Sequence, residues 1–515
     1  MSESAPHAVV IGAGIGGLTA AIALHRAGWR VTVAERAASL RPVGAGIAVA
    51  PNGQRALDAL GLGDTVRDRA AWHGSGGLRT AGGRWLARTD TAAAEERFGG
   101  GIAMLHRAEL VDLLAGELPA GLVRTGTPAR LVDAGSADRR AVVELGGEVG
   151  EADESDVVGM ADVAEVSSVA GVSREGGVAR ASDVAGVSGE GSVAGGSGTA
   201  GVSGEGGVAR ASDAARASDA AGGSGEASVA GASGQSGIDP APAAAVAAAA
   251  PDAVVRLEAD LVIAADGVNS AVRTHLFPDH PAPAYAGFTA WRIVVPAPKQ
   301  RFEPHETWGR GELWGSQPLK DGRVYAYGTA AVTAGGRARD DERQELLRRF
   351  GAWHAPIPEL IAAARPDEVL RHDIRYLRTP LPAYHHGRTA LLGDAAHAMP
   401  PSLGQGGNQA LEDAVVLAHH VTGGAELPDA LAAYSRDRVP RTQAIVRRSA
   451  QAGRLTTVRA APAVALRNAL TAAVARLGPG VMLRSMDGIA VWKPPSSRAE
   501  GAPYAASSRR NGSGG

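Results

Sequence analysis

The chain has 515 residues and not one cysteine. Disulfides, thiolate catalysis and cysteine-ligated metals are thereby excluded, and no metal site is expected. Lysine is rare beside arginine. Lys299, Lys320 and Lys493 stand in loop-like settings, so no catalytic lysine is evident. An excess of either charge is missing too. Lys and Arg number 52 against 54 Asp and Glu, a formal net charge of −2. That balance gives no electrostatic reason to expect nucleic acid or an anionic membrane. No uncharged apolar stretch reaches the ~18 residues of a spanning helix. Residues Met1 to His7 lack a basic-then-apolar signal pattern, and a cytoplasmic protein is expected. The length suits about three domains.

What is present starts with a turn. Ala8-Val9-Val10-Ile11 is a short apolar run, as expected of a buried parallel strand. It leads into Gly12-Ala13-Gly14-Ile15-Gly16-Gly17, and Leu18 to Ala27 then reads as an Ala/Leu-rich helix ended by Gly28. Gly12 permits the tight turn, Gly14 lets backbone approach a pyrophosphate, and Gly17 lets helix and strand pack closely. The helix N-terminus offers free N–H groups and a positive dipole end. A second strand, Arg30 to Ala34, delivers Glu35, which lies 23 residues after Gly12. A carboxylate there suits a ribose hydroxyl, hence FAD or NAD rather than NADP.

Two later strings repeat the arrangement of a buried strand ending in an acid beside glycine. The first is Ala259 to Ala265 followed by Asp266-Gly267. The second is Thr389 to Leu392 followed by Gly393-Asp394-Ala395-Ala396-His397, with Pro400-Pro401 and Gly404-Gln405-Gly406-Gly407-Asn408 beyond it. Acids at the C-terminal ends of parallel strands lie where α/β sheets bind ligands. The glycines bring bare backbone to the start of a helix, Gln409 to His419, which suits an anionic group. Alone, a Gly-Asp pair reads as a turn.

Between them the sequence changes character. From Gly150 to Gly234 it is Gly, Ser, Ala, Val, Asp and Glu without an aromatic, and Gly171 to Ala179 recurs at Gly186 and Gly201, a period of 15 residues. Such units carry too few apolar side chains to share a core, so a disordered insertion is expected, with an added binding role as the alternative. Strand-like runs on both sides, Ala141 to Leu145 and Val254 to Leu257, place it in a hairpin or at a sheet edge.

With these motifs in view, the chain resembles the class A FAD-dependent aromatic hydroxylases, the para-hydroxybenzoate hydroxylase-like flavoprotein monooxygenases. The resemblance rests on Val10 to Glu35, Gly44 to Ile47 with Pro51-Asn52-Gly53, His106 to Leu110, Ala265-Asp266-Gly267, and Gly393 to Asp413. Tyr285-Ala286-Gly287, Trp291-Arg292 and Tyr434 to Arg441 add to it. It implies an α/β fold: a Rossmann-like FAD-binding domain assembled from discontinuous segments (1–71, 105–149, 251–277 and 377–445), a mixed β-sheet substrate domain (72–104 and 278–376), the insertion (150–250), C-terminal helices (446–495) and a disordered tail (496–515). It implies FAD as cofactor, NADH or NADPH as co-substrate, O2, and an aromatic substrate hydroxylated through a C4a-hydroperoxide. A monomer or homodimer without nucleic acid or membrane span is expected.

The resemblance also implies site roles. Gly12, Gly14, Gly16 and Gly17 would hold the pyrophosphate, and Glu35 with Arg36 the adenosine ribose. Arg107 would be a cationic partner of the FAD, with a surface charge as the plain alternative. Gly46 and Ile47 would border the flavin. Asp266 and Gly267 would lie near FAD and the path of the reductant. Asp394 would bind the ribityl or pyrophosphate region. Gly404, Gly406, Gly407 and Asn408 would face the pyrimidine edge of the isoalloxazine, where negative charge develops on reduction. Trp291, Arg292, Trp314, Tyr325 and Tyr327, on runs that alternate as strands do, are pocket candidates; ordinary sheet packing is the alternative. No general base is nominated, and His397 reads as a packing or hydrogen-bonding residue. Related functions stay open: a flavin reductase, a halogenase (although its Trp-x-Trp-x-Ile string is missing), or a scaffold that lost its chemistry. At the C-terminal end, Val464, Leu466, Leu470, Val474 and Leu477 are spaced for a helix packing on the FAD domain, with a membrane-surface helix as the rival.

Overall fold

The computed structural model describes residues 5–40, 45–71, 75–146, 254–484 and 486–496. The repeat segment and the terminal tail lie outside the described residues.

Two large sheets organise the fold. The first has six strands. From one edge these are His385–His386, Thr389–Leu391, Leu261–Ala264, His7–Ile11, Arg30–Ala34 and Val123–Arg124, and all but the first run parallel. Val9, Val10, Val262 and Ile263 have no exposed surface. Burial on both faces explains their unbroken apolar runs; each such side chain contributes about 1.5–3 kcal/mol. Helix Ile15–Arg26 covers this sheet and ends at Gly28, whose φ of +87° suits the residue after a C-cap.

The second sheet has seven strands, in the order Leu370–Tyr376, Ala284–Pro296, Arg323–Ala330, Glu312–Pro318, His305–Trp308, Ser75–Thr80 and Trp85–Asp90. Side chains alternate faces along each strand. Trp291, Ile293, Val295, Trp314, Val324 and Ala326 pack against helices Glu342–Phe350 and Ile357–Ala363. Tyr325, Tyr327, Trp308 and Leu313 form a different core with Ala45, Ala48 and Met104. The second face therefore meets the segment around Gly46.

Strands Ala141–Leu145 and Val255–Ala259 pair antiparallel, with Leu145 opposite Val255. The chain thus leaves and re-enters the described fold at neighbouring strand ends, as expected for an insertion in a hairpin.

The C-terminal helices differ from expectation. Helix Ala461–Arg476 buries Arg467 and Thr471 and turns Leu466, Leu470 and Leu477 to solvent. Its inner contacts are with the seven-stranded sheet. Arg467 lies 5.1 Å from the Trp308 ring centroid and donates to the carbonyl of Gly309. Val474 and Ala475 pack against the core cluster that holds Trp308 together with Ala45 and Ala48.

Candidate active site

The glycine turn and both later acids come together at one edge of the six-stranded sheet. Strands His7–Ile11, Leu261–Ala264 and Thr389–Leu391 are parallel neighbours, and each releases its motif at its C-terminal end. Main-chain bonds tie the ends: Gly12 N–H to Ala34 O at 2.8 Å, Ala265 N–H to Ile11 O at 2.8 Å, and Leu392 N–H to Ala264 O at 2.9 Å. Glu35, Gly12, Asp266 and Asp394 therefore form a row along the mouth of the sheet. The chain runs outward in both directions from the strand His7–Ile11, which makes this the switch point where such sheets bind ligands.

The turn shows what each glycine does. Gly12 has φ +101°, and a Cβ there would lie 2.4 Å from Ala265 O. A Cβ on Gly17 would lie 2.1 Å from Gly12 O. A Cβ on Gly14 would meet nothing within 4 Å. Gly14 thus faces open space, at the start of a helix with no side-chain cap and no acid in its first turn. Free N–H groups beside an open cradle fit a pyrophosphate. Gly16 is different: its Cβ would strike Leu392 Cδ2 at 2.3 Å and Ala410 Cβ at 3.0 Å. Its missing side chain serves the close approach of helix Ile15–Arg26 to Leu392 and Ala410, while its N–H lies in the uncapped first turn. Glu35 accepts from Ala13 N–H and Ala37 N–H, both at 2.8 Å, which orients the carboxylate and leaves lone pairs for hydroxyls. Arg36 beside it is exposed.

Asp266 accepts from Val272 N–H at 3.2 Å. Burial pushes its carboxyl above the usual range, partly offset by bonds from Ser270 and Val272. Gly267, φ +82°, has open space around its missing Cβ. Arg273, which the sequence reading gave no role, donates to Ala395 O at 3.1 Å and Val268 O at 2.6 Å. It stitches the Asp266 loop to the Asp394 turn. Asp394 opens the short helix Asp394–His397 and is buried.

Strand Gly46–Val49 carries the other half of the site. It pairs with Ala103–His106, which brings Gly46 opposite His106. Arg107 follows as the first residue of helix Arg107–Gly116 and is 8% exposed, so it is not a surface charge. A Cβ on Gly46 would sit 2.5 Å from the Tyr325 ring. Ile47 points into the main core and only its backbone borders the site. Asn408 staples the glycine loop to this strand. It accepts from Ala50 N–H at 2.9 Å and donates to Ala48 O at 3.0 Å. Gly404 takes φ +58°, and helix Gly406–Val421 starts without a side-chain cap or an acid in its first turn.

Behind this loop lies a buried polar network. Asp413 accepts from His397 Nε2 at 2.5 Å, Arg438 Nε at 2.6 Å and Gly393 N–H at 3.0 Å. Arg438 also donates to Glu412 at 2.6 Å, and Glu412 takes further bonds from Arg441 and Asn52. His397 is thus a hydrogen-bonding residue that anchors the turn carrying Asp394. The expected strings Gly393 to Asp413 and Tyr434 to Arg441 meet here.

The seven-stranded sheet closes the site from the other side. Arg292 is buried, with Nη1 3.0 Å from His372 Nδ1. Burial, and then the charges of Arg292, Arg371, Arg107 and Arg337, lower the His372 pKa to about 3. His372 is therefore neutral at ordinary pH. Arg292 bonds this imidazole directly, and the charge of Arg107 also bears on it. Tyr327 donates to buried Glu306 at 2.8 Å. Trp291 does not share this side. Its indole donates to Glu342 at 2.7 Å on the helical face, so its pocket role is withdrawn, and that of Trp314 with it.

A parallel sheet with an open glycine cradle, an uncapped helix and a row of carboxylates defines a dinucleotide-binding protein. Residues 6–157 and 239–449 match the family described as FAD binding domain, and the chain belongs to that family. It is an FAD-dependent monooxygenase of the class A aromatic hydroxylase type. It is 27% identical over 446 residues to the FAD-dependent urate hydroxylase of Klebsiella pneumoniae, covering 85% of this chain and 87% of that protein. It is 44% identical over 200 residues to the aurachin C monooxygenase/isomerase of Stigmatella aurantiaca, a match spanning 38% of this chain and 52% of that protein. This second match thus takes in about half of the relative's length. In fold it is similar to Klebsiella pneumoniae HpxO complexed with FAD and uric acid, with TM-score 0.66, 23% identity and coverage of 94% of this chain and 96% of that one.

Proposed function

We propose that this enzyme hydroxylates an aromatic ring bearing an ionised oxygen, using NADH or NADPH and O2. The observation that carries the reading is the row of Gly12, Asp266 and Asp394 at three adjacent parallel strand ends. FAD, when bound, supplies electron transfer from the nicotinamide and the activation of oxygen. The chain's own residues bind, orient and exclude water. Gly12, Gly14 and the N-terminus of helix Ile15–Arg26 hold the pyrophosphate, and Glu35 the adenosine ribose. Asp394 and Arg107 take the ribityl and phosphate oxygens. The N–H groups of Gly406, Gly407 and Asn408 face the pyrimidine edge, where their dipoles stabilise developing negative charge. Gly46 lets Tyr325 approach the ring, and Asp266 with Gly267 flanks the path of the reductant. In this reading segments 1–71, 105–149, 251–277 and 377–445 serve the cofactor, and 72–104 and 278–376 the substrate.

Arg292 selects the substrate. Its guanidinium is buried opposite Tyr327, on the sheet face that meets the Gly46 segment, and a planar cation there suits an anionic oxygen on the ring. The similarity to urate and 3-amino-4-hydroxybenzoate hydroxylases supports that substrate class. Arg292→Met is expected to retain FAD while kcat/KM for the aromatic falls about 10- to 100-fold, the loss of one charged hydrogen bond. Steady-state NAD(P)H oxidation against substrate concentration measures it. An unchanged kcat/KM would remove Arg292 from the pocket.

A further inference from the structure

Helix Ala461–Arg476 is turned inside out. Its inward side chains include Arg467 and Thr471, while Leu466 is 60% exposed, Leu470 47% and Leu477, just past its end, 71%. At helical spacing Leu466, Leu470, Ala473 and Leu477 form one stripe, with Arg467 and Thr471 about 90–130° round the helix from it. Leu455 before the helix and Val481 after it are exposed as well. Single exposed leucines need no explanation; a continuous stripe marks an interaction surface.

Charge decides what fits it. From Arg438 to Met486 the sequence holds no Asp or Glu, although the whole chain is close to neutral. Arg447, Arg448, Arg454, Arg459, Arg476 and Arg484 are exposed in that stretch. Leucines bordered by guanidinium groups suit an interface of acyl chains below anionic headgroups. The stripe cannot belong to a spanning segment: among the described residues no helix is long and apolar enough to cross a membrane.

We propose that helix Ala461–Arg476 docks this enzyme onto the surface of anionic lipid bilayers. Leu466, Leu470 and Leu477 insert below the headgroups, and Arg459, Arg476 and Arg484 pair with lipid phosphates. The test is flotation of the full-length, FAD-loaded enzyme with vesicles of phosphatidylcholine alone and of equal parts phosphatidylcholine and phosphatidylglycerol. The enzyme should float with the anionic vesicles only, and less so as salt rises. The triple variant Leu466→Ser, Leu470→Ser, Leu477→Ser should lose about tenfold or more of that partitioning. Arg459→Gln with Arg476→Gln should weaken it in the same direction. Flavin content and thermal melting should stay unchanged in both, since none of these residues touches the cradle. Absence of flotation with anionic vesicles, or equal flotation of the leucine variant, would overturn the proposal. So would a concentration-dependent dimer that the leucine variant converts to monomer without any vesicle binding, because the stripe would then join two copies.

Discussion

Gly12→Ala is expected to yield a protein that purifies without flavin. Two effects combine. Gly12 sits at φ +101°, where an alanine is strained by about 1–3 kcal/mol. Its Cβ would also lie 2.4 Å from the carbonyl oxygen of Ala265, at the end of a central strand that cannot give. Relief requires the glycine turn to move away from the Asp266 strand, which opens the row of ligand groups. FAD affinity should fall about a hundredfold or more, roughly 2.7 kcal/mol, with a drop in thermal stability. Gly14→Ala separates the two effects. Its Cβ meets no protein atom within 4 Å, so melting should be unchanged while FAD binding weakens. Flavin titration beside thermal denaturation reads both. Equal FAD affinity in wild type and Gly14→Ala would show that no phosphate approaches that backbone.

Arg438→Met carries the second large effect. Arg438 is 1% exposed and bonds both Asp413 and Glu412, which are fully buried. Removing the cation takes a charged partner from each of two buried acids, leaving Asp413 to His397 and Gly393 and Glu412 to Arg441 and Asn52, and breaking a buried pair this way costs about 3–5 kcal/mol. The melting temperature should fall by about 10 °C. The acid limb of stability should change too. Burial alone would raise the Asp413 carboxyl, but His397, Arg438 and the Gly393 N–H overcome it and hold the pKa at about 2. A carboxyl depressed in the folded state stabilises above its unfolded pKa, about 3.9, and that contribution is lost as pH falls toward 2. In Arg438→Met the depression shrinks, so the loss begins at higher pH. Thermal melts from neutral pH down to pH ~2 measure both changes. Melting and acid sensitivity equal to wild type would mean that this network does not hold the Asp394 turn.

What the sequence made legible was local. The G-x-G-x-x-G turn, Glu35 and both Gly-Asp strings announce themselves because each glycine and acid acts within its own strand-turn-helix. Their assembly also followed, since parallel strands must put such turns at one sheet edge. Direction was harder. Alternation separates Trp291 from Arg292 but does not say which face turns toward the flavin, and the aromatic proved to be the residue on the helical side. Helical spacing marks the Leu466, Leu470, Leu477 stripe equally well whether it faces a core or solvent. Gly16 stands in the phosphate turn, but the reason it lacks a side chain lies in Leu392 and Ala410, hundreds of positions away. His372 gave no signal at all, because its neutrality comes first from burial and then from arginines on four separate segments.

The most direct test of the account is the absorbance spectrum of the purified full-length protein, followed as NADH or NADPH is added with phenolic and N-heteroaromatic acids. The account predicts a yellow protein with near-equimolar FAD whose reduction and oxygen consumption are accelerated by an anionic aromatic. A colourless protein that takes up no added FAD would contradict it, however well the three strand ends line up.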